Sequence, residues 1–226
     1  MTEFDMAGDG AGPENSIAAS FARARLHDLR YRLVVSALSP ATVVRCAGGW
    51  LFDRALAGWE VTVVVAERGD IRPLQILGAD VLDLDSCLAV TLDDGWPLDE
   101  PWPQVFALDT ELFHADPRVL PIILDTLDSG RSDVLLWGEV CPDELDRRMA
   151  AVQHRMSAAA RAFKARACAA ADLPAVPAAA VETFRTTAWP ARGASLSGCD
   201  AVPCPMGECS GEDAKVLSFT ARVGPR

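Results

Sequence analysis

The stretch RLVVSALSPATVVRCAGGWLFDRALAGWEVTVVVA, residues 32–66, decides the fold. Arg32 to Leu38 is nearly continuous in apolar residues, as a strand covered on both faces must be. Pro40 follows, and proline suits a first helical turn because the N–H it lacks would have no partner there. A helix from Pro40 to Ala57 would carry Val43, Val44, Trp50, Leu51 and Leu56. Gly48 and Gly49 in its middle each cost about 1 kcal/mol relative to alanine, so a kink or a close backbone contact is expected there. Gly58 ends the helix, and Glu60 to Ala66 reads as a second strand. Strand, helix, parallel strand is a βαβ unit, and its crossover is expected to be right-handed.

The same alternation continues toward the C-terminus. Residues 71–78 read as a short helix or turn. Residues 80–84 read as a third strand, continued by or paired with residues 88–92. Residues 93–103, DDGWPLDEPWP, are a loop by their proline and glycine content. Residues 105–108 are a short apolar run, helix or strand. Residues 117–129 form a helix stopped by Gly130, and Asp133 to Trp137 is another buried strand. This order implies a three-layer α/β domain with a mainly parallel sheet. Upstream, Ser16 to Leu29 reads as a short helix behind a disordered tail of residues 1–15, so the domain is expected to span residues 16–140.

Pro142 then opens a long amphipathic helix over residues 141–172. Leu145, Met149, Val152, Met156, Ala159 and Phe163 recur at alternating spacings of four and three, a heptad seam. About 30 residues of helix would reach about 45 Å. Its distal half is therefore expected to project, with Met149, Met156 and Phe163 meeting a second copy or a protein partner. Residues 173–226 read as a Pro/Ala linker and a weakly structured C-terminal extension.

Charge is unevenly spread over the 226 residues, whose net value is −11. Residues 60–140 hold seventeen acids and four bases, whereas residues 147–171 hold six bases and no acid. An acidic body repels phosphates, which argues against nucleic acid and anionic membranes as partners. The arginines of the helix are expected to dock on that acidic body, in their own chain or in a second copy. No apolar run approaches a membrane span. The N-terminus has no basic or apolar leader pattern, so the cytoplasm is the expected location. Cys46, Cys87, Cys141 and Cys168 stand singly in apolar stretches and read as buried small hydrophobes. Cys199, Cys204 and Cys209 are spaced as C-x4-C-x4-C, a poor zinc pattern with no histidine after His154.

The βαβ unit resembles the start of a Rossmann-type domain over residues 31–138. That resemblance implies a ligand at the C-terminal strand ends, with Glu67 placed where an acid bonds a ribose hydroxyl. The turn after the first strand, Ser36-Ala37-Leu38-Ser39-Pro40, has no glycine, so no standard dinucleotide cofactor is expected. Ser36 and Ser39 remain able to bond an anion at a helix N-terminus. Asp83 and Asp85 form an Asp-x-Asp similar to those of haloacid-dehalogenase-type phosphatases and sugar-nucleotide transferases. The lysine such a phosphatase needs has no candidate, since Lys164 and Lys215 lie far from any strand end. No metal is therefore assigned. His114 is the one histidine expected in a loop suited to acid–base work, while His27 and His154 read as solvated helix positions. Gly-x-Ser-x-Gly is absent.

With every catalytic pattern incomplete, the sequence favours a non-catalytic regulatory or interaction module acting through the long helix and the acidic face. The alternative is a small enzyme or sensor for a nucleotide-like or phosphorylated ligand. Ser36, Ser39, Glu67, Asp83 and Asp85 would bind it at the C-terminal ends of the parallel strands.

Overall fold

The valine-rich runs that open the chain's central part become adjacent parallel strands, as their two-sided apolar character requires. The structure, a computed structural model, describes residues 30–93, 102–174, 181–187 and 201–202. β1 (Arg32–Ala37) leads into α1 (Pro40–Leu56) and β2 (Glu60–Val65). Then come α2 (Arg72–Ile76), β3 (Asp80–Asp83), α3 (Leu84–Asp93), β4 (Val105–Asp109), α4 (Leu112–Ala115), α5 (Val119–Ser129) and β5 (Asp133–Trp137). The remaining elements are α6 (Asp143–Asp146), β6 (Ala150–Arg155), α7 (Ala158–Ala170), β7 (Val181–Thr186) and β8 (Ala201–Val202).

Among the described residues, eight strands form one sheet in the order β3-β2-β1-β4-β5-β7-β6-β8. The first five are parallel, and β7, β6 and β8 extend the sheet in antiparallel fashion. Side chains alternate between the two faces of each strand. Leu33, Val35 and Ala37 of β1 therefore join Val61, Val63 and Val65 of β2 on one face, under Trp50 and Leu51 of α1, Leu74 of α2 and Ala167 of α7. The other face gathers Val64, Leu108, Val134 and Leu136 under Leu88 of α3, Leu112 of α4, Ile123 of α5 and Leu145 of α6. Helices thus cover both faces of a mainly parallel sheet, the three-layer α/β architecture that the element order predicts. Residues 84–93 form α3 rather than further strand: Asp83 caps this helix by accepting the N–H and hydroxyl of Ser86, each at 3.0 Å.

The long helix expected over residues 141–172 does not exist. That segment folds as the short helix α6, the strand β6 and the separate helix α7. Its apparent heptad is shared by three elements. Val152 and His154 are buried with strand periodicity in β6, and Val152 faces Phe184 of β7. Ser157 is extended and accepts the N–H of Ala160 at 3.0 Å, so it caps α7 and marks a new helix start inside the supposed one. The projecting helix expected to present Met149, Met156 and Phe163 is absent, and Met156 is withdrawn into the core while Phe163 stays 44% exposed. Met156 is buried against α1, Phe163 stacks on Phe52 with ring centres 4.3 Å apart, and Met149 packs into the opposite core. The domain boundary at residue 140 moves as well. β6 and β7 belong to the same sheet, so residues 181–186 are a structural strand and not part of a loose extension. The arginine docking expected of the cationic stretch is partly seen within the chain, where Arg148 meets Asp128 at 2.8 Å. The expected helix at 16–29, the Cys199–Cys209 cluster and the strand-like residues 215–223 lie outside the described residues.

No described helix is long and apolar enough to cross a membrane.

Candidate functional site

In a sheet ordered 3-2-1-4-5, the chain leaves β1 in one direction and returns to its other side at β4. In open α/β sheets a crevice forms at such a switch point, beyond the C-terminal ends of the diverging strands, here β1 and β4, and ligands bind in it. Four segments border it: the end of β1, the first turns of α1, the end of β4 and the end of β5.

β4 ends in Asp109, which alternation puts on the α1 face after Val105 and Ala107. In β5 the residue in register with it is Trp137, on the same face. Both are buried, Asp109 at 1% and Trp137 at 3% relative exposure. Asp109 Oδ1 accepts the N–H of Glu111 at 3.1 Å. Its Oδ2 has no hydrogen-bond partner among the described residues, nor do Trp137 Nε1 and Thr110 Oγ1. A donor, a carboxylate oxygen and a hydroxyl are thus left unpaired within two residues of register. Each such buried group costs about 1–3 kcal/mol unless something bonds it.

The electrostatics agree with that picture. Burial pushes the Asp109 carboxyl above the usual carboxylate range; the Glu111 N–H bond opposes this, the Glu111 charge adds to it and Arg45 opposes it. An acid held that way can carry a proton nearer to neutrality than a solvated aspartate can. Gly138 follows Trp137 at φ 124°, and a Cβ there would collide with Thr110 Oγ1. Glycine at this position lets the Thr110 hydroxyl sit against the backbone.

α1 supplies the other wall. Ser39 caps it, accepting the N–H of Thr42 at 3.4 Å, and the two hydroxyls lie 3.0 Å apart. One turn on, Arg45 hydrogen-bonds Cys46 and is within electrostatic reach of Glu111 and Asp109. Burial raises the Cys46 thiol and Arg45 pulls it back.

The residues expected to bind a ligand spread along the same edge. Ser36 is half-buried within β1, and Ser39 is at the mouth of the crevice. Glu67 is exposed past the end of β2, its N–H donating to the Leu38 carbonyl at 2.7 Å. Asp83 ends β3, next to the outer side of β2, and besides capping α3 it accepts Arg68 at 3.3 Å. The Ser86 N–H bond holds its carboxyl below the ordinary range against partial burial, with Arg68 assisting. Asp85 points to Arg118 at 2.6 Å, a group that also binds Asp116. Asp83 and Asp85 therefore have side-chain partners within the chain, while Asp109 accepts the Glu111 N–H on Oδ1 and keeps Oδ2 without a partner among the described residues. His114 lies exposed on α4.

Asp109, Thr110 and Trp137 were missed in the sequence because VFALD is too short to fix as a strand. Only its placement beside β1 makes its last residue a crevice group. His154 is a second correction: it is not solvated but buried in β6, bonded to Asp53 at 2.9 Å. Burial would raise Asp53, but the bonds from His154 and Ser157 hold it below its ordinary value. Lys164, dismissed as remote from any strand end, is buried with Glu182 at 2.6 Å. Among the described residues no group of three or more His, Cys, Asp or Glu is placed to hold a metal ion.

No family model matches the chain, and no curated protein matches it. Solved structures do resemble it. One is an antimicrobial pseudoaglycone deacetylase, 13% identical over 69% of this chain and 96% of the other, with TM-score 0.48. Another is the 4-carboxy-2-hydroxymuconate hydratase of Pseudomonas putida, 13% identical over 74% and 100%, with TM-score 0.45. A third is a triple mutant of a deacetylase of the teicoplanin biosynthetic pathway, 13% identical over 60% and 79%, with TM-score 0.44. The long helix through which this chain was expected to act as a non-catalytic module is absent, and that reading is accordingly corrected.

Proposed function

We propose that this protein is an enzyme acting on a small polar ligand in the crevice between β1 and β4, with Asp109 as its proton-carrying group. One observation carries the reading: among the described residues, a buried carboxylate oxygen at the strand-order switch point has no partner, and a Trp N–H and a Thr hydroxyl next to it in register have none either. Core acids without a role are paired or replaced, because an unpaired buried charge is destabilising. Thr110 and Trp137 would orient the ligand, and Asp109 would accept or donate the proton. Ser39 and Arg45 would meet the part of the ligand that reaches the first turns of α1.

A phosphorylated or nucleotide-like ligand is the narrower form of this proposal. It draws on Arg45, exposed at the start of α1, and on the hydroxyls of Ser39 and Thr42. Glu67 would then face the ligand's far end.

A thermal-shift screen of small polar metabolites, with nucleotides tested with and without Mg²⁺, is the test. A ligand should raise the melting temperature of the wild type and not of Asp109→Asn. A hit kept by Asp109→Asn and lost in Glu67→Ala would move the site to the β1–β2 edge. No shift by any compound at millimolar concentration would sink the proposal.

A further inference from the structure

Gly48 and Gly49 sit where a helix is weakened without an evident reason. A buried ion pair from α7 and β7, on the same face of the sheet as α1, supplies one. Lys164 of α7 donates to the Arg45 carbonyl at 2.7 Å and to Glu182 Oε1 at 2.6 Å. Glu182 of β7 accepts the Gly49 N–H on Oε1 at 2.8 Å and the Trp50 N–H on Oε2 at 2.6 Å. The carbonyl of residue 45 is the one an α-helix offers to the N–H of residue 49. Lysine and glutamate thus take hold of both ends of one hydrogen-bonding step of α1, cation on the carbonyl and carboxylate on the N–H groups, as the helix dipole favours. Glycine is what permits the grip. A Cβ at position 49 would collide with Met156 Sδ and stand 3.2 Å from Glu182 Oε1, and one at position 48 would press on Leu77 at 3.2 Å.

The gripped residue matters, because Arg45 is a cation within electrostatic reach of Glu111 and Asp109. Its guanidinium acts on Glu111 and Asp109, and Cys46 next to it feels both Asp109 and Lys164. A pair buried this deeply is weak evidence of stabilisation, since apolar side chains of similar size often do as well.

We propose that Lys164 and Glu182 are positioning residues, which fix the Arg45–Trp50 stretch of α1 so that Arg45 stays within reach of Asp109 and Glu111. This rests on the reading of Asp109 as the crevice acid. The charged and titratable groups that face it are Glu111 after β4 and Arg45 and Cys46 on α1.

The test uses the full chain. The Asp109 carboxyl titration is followed by ¹³C NMR, its signal assigned with Asp109→Asn, in the wild type, Arg45→Met and the charge-free double variant Lys164→Met/Glu182→Leu. Arg45→Met removes the cation outright and should raise the Asp109 midpoint. The double variant should raise it in the same direction, by about half a unit or more. If the double variant does not fold, Glu182→Gln is read instead; it is isosteric and keeps one oxygen for the two N–H groups. A midpoint that stays put while Arg45→Met moves it overturns the positioning role, whatever happens to stability. A wild-type midpoint at the ordinary aspartate value overturns the reading of Asp109, and leaves the comparison among variants to decide positioning by itself.

Discussion

Two buried carboxylates on the same face of the sheet live under opposite conditions. Glu182, in the antiparallel extension, has every oxygen occupied: two helix N–H groups and a lysine. Asp109, at the parallel strand ends, keeps one oxygen without any partner among the described residues. The first is what a chain does with an acid it needs for structure. The second is what it does with an acid it needs free. Stability and function pull against each other at such sites, and the satisfied network is where a substitution should hurt most.

The largest expected effect is on the satisfied side. Glu182→Ala leaves Lys164 buried without its counter-charge and strips two helix N–H groups, and it should cost about 3–5 kcal/mol in urea unfolding. A loss under half of that would mean the region relaxes or hydrates. Gly49→Ala comes next. Its methyl group must displace buried Met156, so about 1–3 kcal/mol should be lost, and helix propensity alone would predict a gain. A stabilised Gly49→Ala would show that the grip on α1 is loose.

Asp109→Asn should do the reverse and stabilise the protein by about 1 kcal/mol at neutral pH while abolishing ligand binding. The sign follows from the raised folded-state value. Asp109 contributes its stability below the unfolded-state value of about 4, and that contribution is lost as pH rises through the higher folded-state one. The advantage of asparagine should therefore grow with pH across this window, read from urea midpoints at several pH values. A variant less stable than the wild type at neutral pH would mean that Asp109 has a structural partner after all. The smallest effect is expected at Asp85→Ala. Its bond to Arg118 is exposed and salt-screened, so the urea midpoint should stay unchanged within error.

The contrast also separates what was readable from what was not. Residues 32–66 spell out β1, α1 and β2 because strands covered on both faces are written as continuous apolar runs. β5 was readable for the same reason, in DVLLW. In β6, by contrast, AAVQHR has one branched apolar residue, and its buried histidine is tolerable only because Asp53 lies 2.9 Å away in the fold. The spacing from Leu145 to Phe163 mimicked a heptad because a strand's period of two and a helix's turn both admit apolar residues four apart. The local clue to the error was Ser157 followed by three alanines, a helix start.

The candidate edge was legible, and the candidate group was not. A strand–helix–strand pattern with Glu67 and Asp83 after its strands points to the C-terminal end of the sheet. Asp83 is matched to Ser86 by local capping spacing, but the ties of Asp83 to Arg68 and of Asp85 to Arg118 span 15 and 33 residues and cannot be matched by spacing in the chain.

By itself, then, the sequence determined the parallel α/β core, since burial on two faces leaves a mark on consecutive residues. Only the tertiary structure decided that β6 and β7 complete the sheet, that two glycines in α1 make room for Met156 and the Lys164–Glu182 pair, and that Asp109 and Trp137 stand side by side. Those facts join residues 18 to 133 positions apart, and pairing over such distances is set by packing, which no local pattern records.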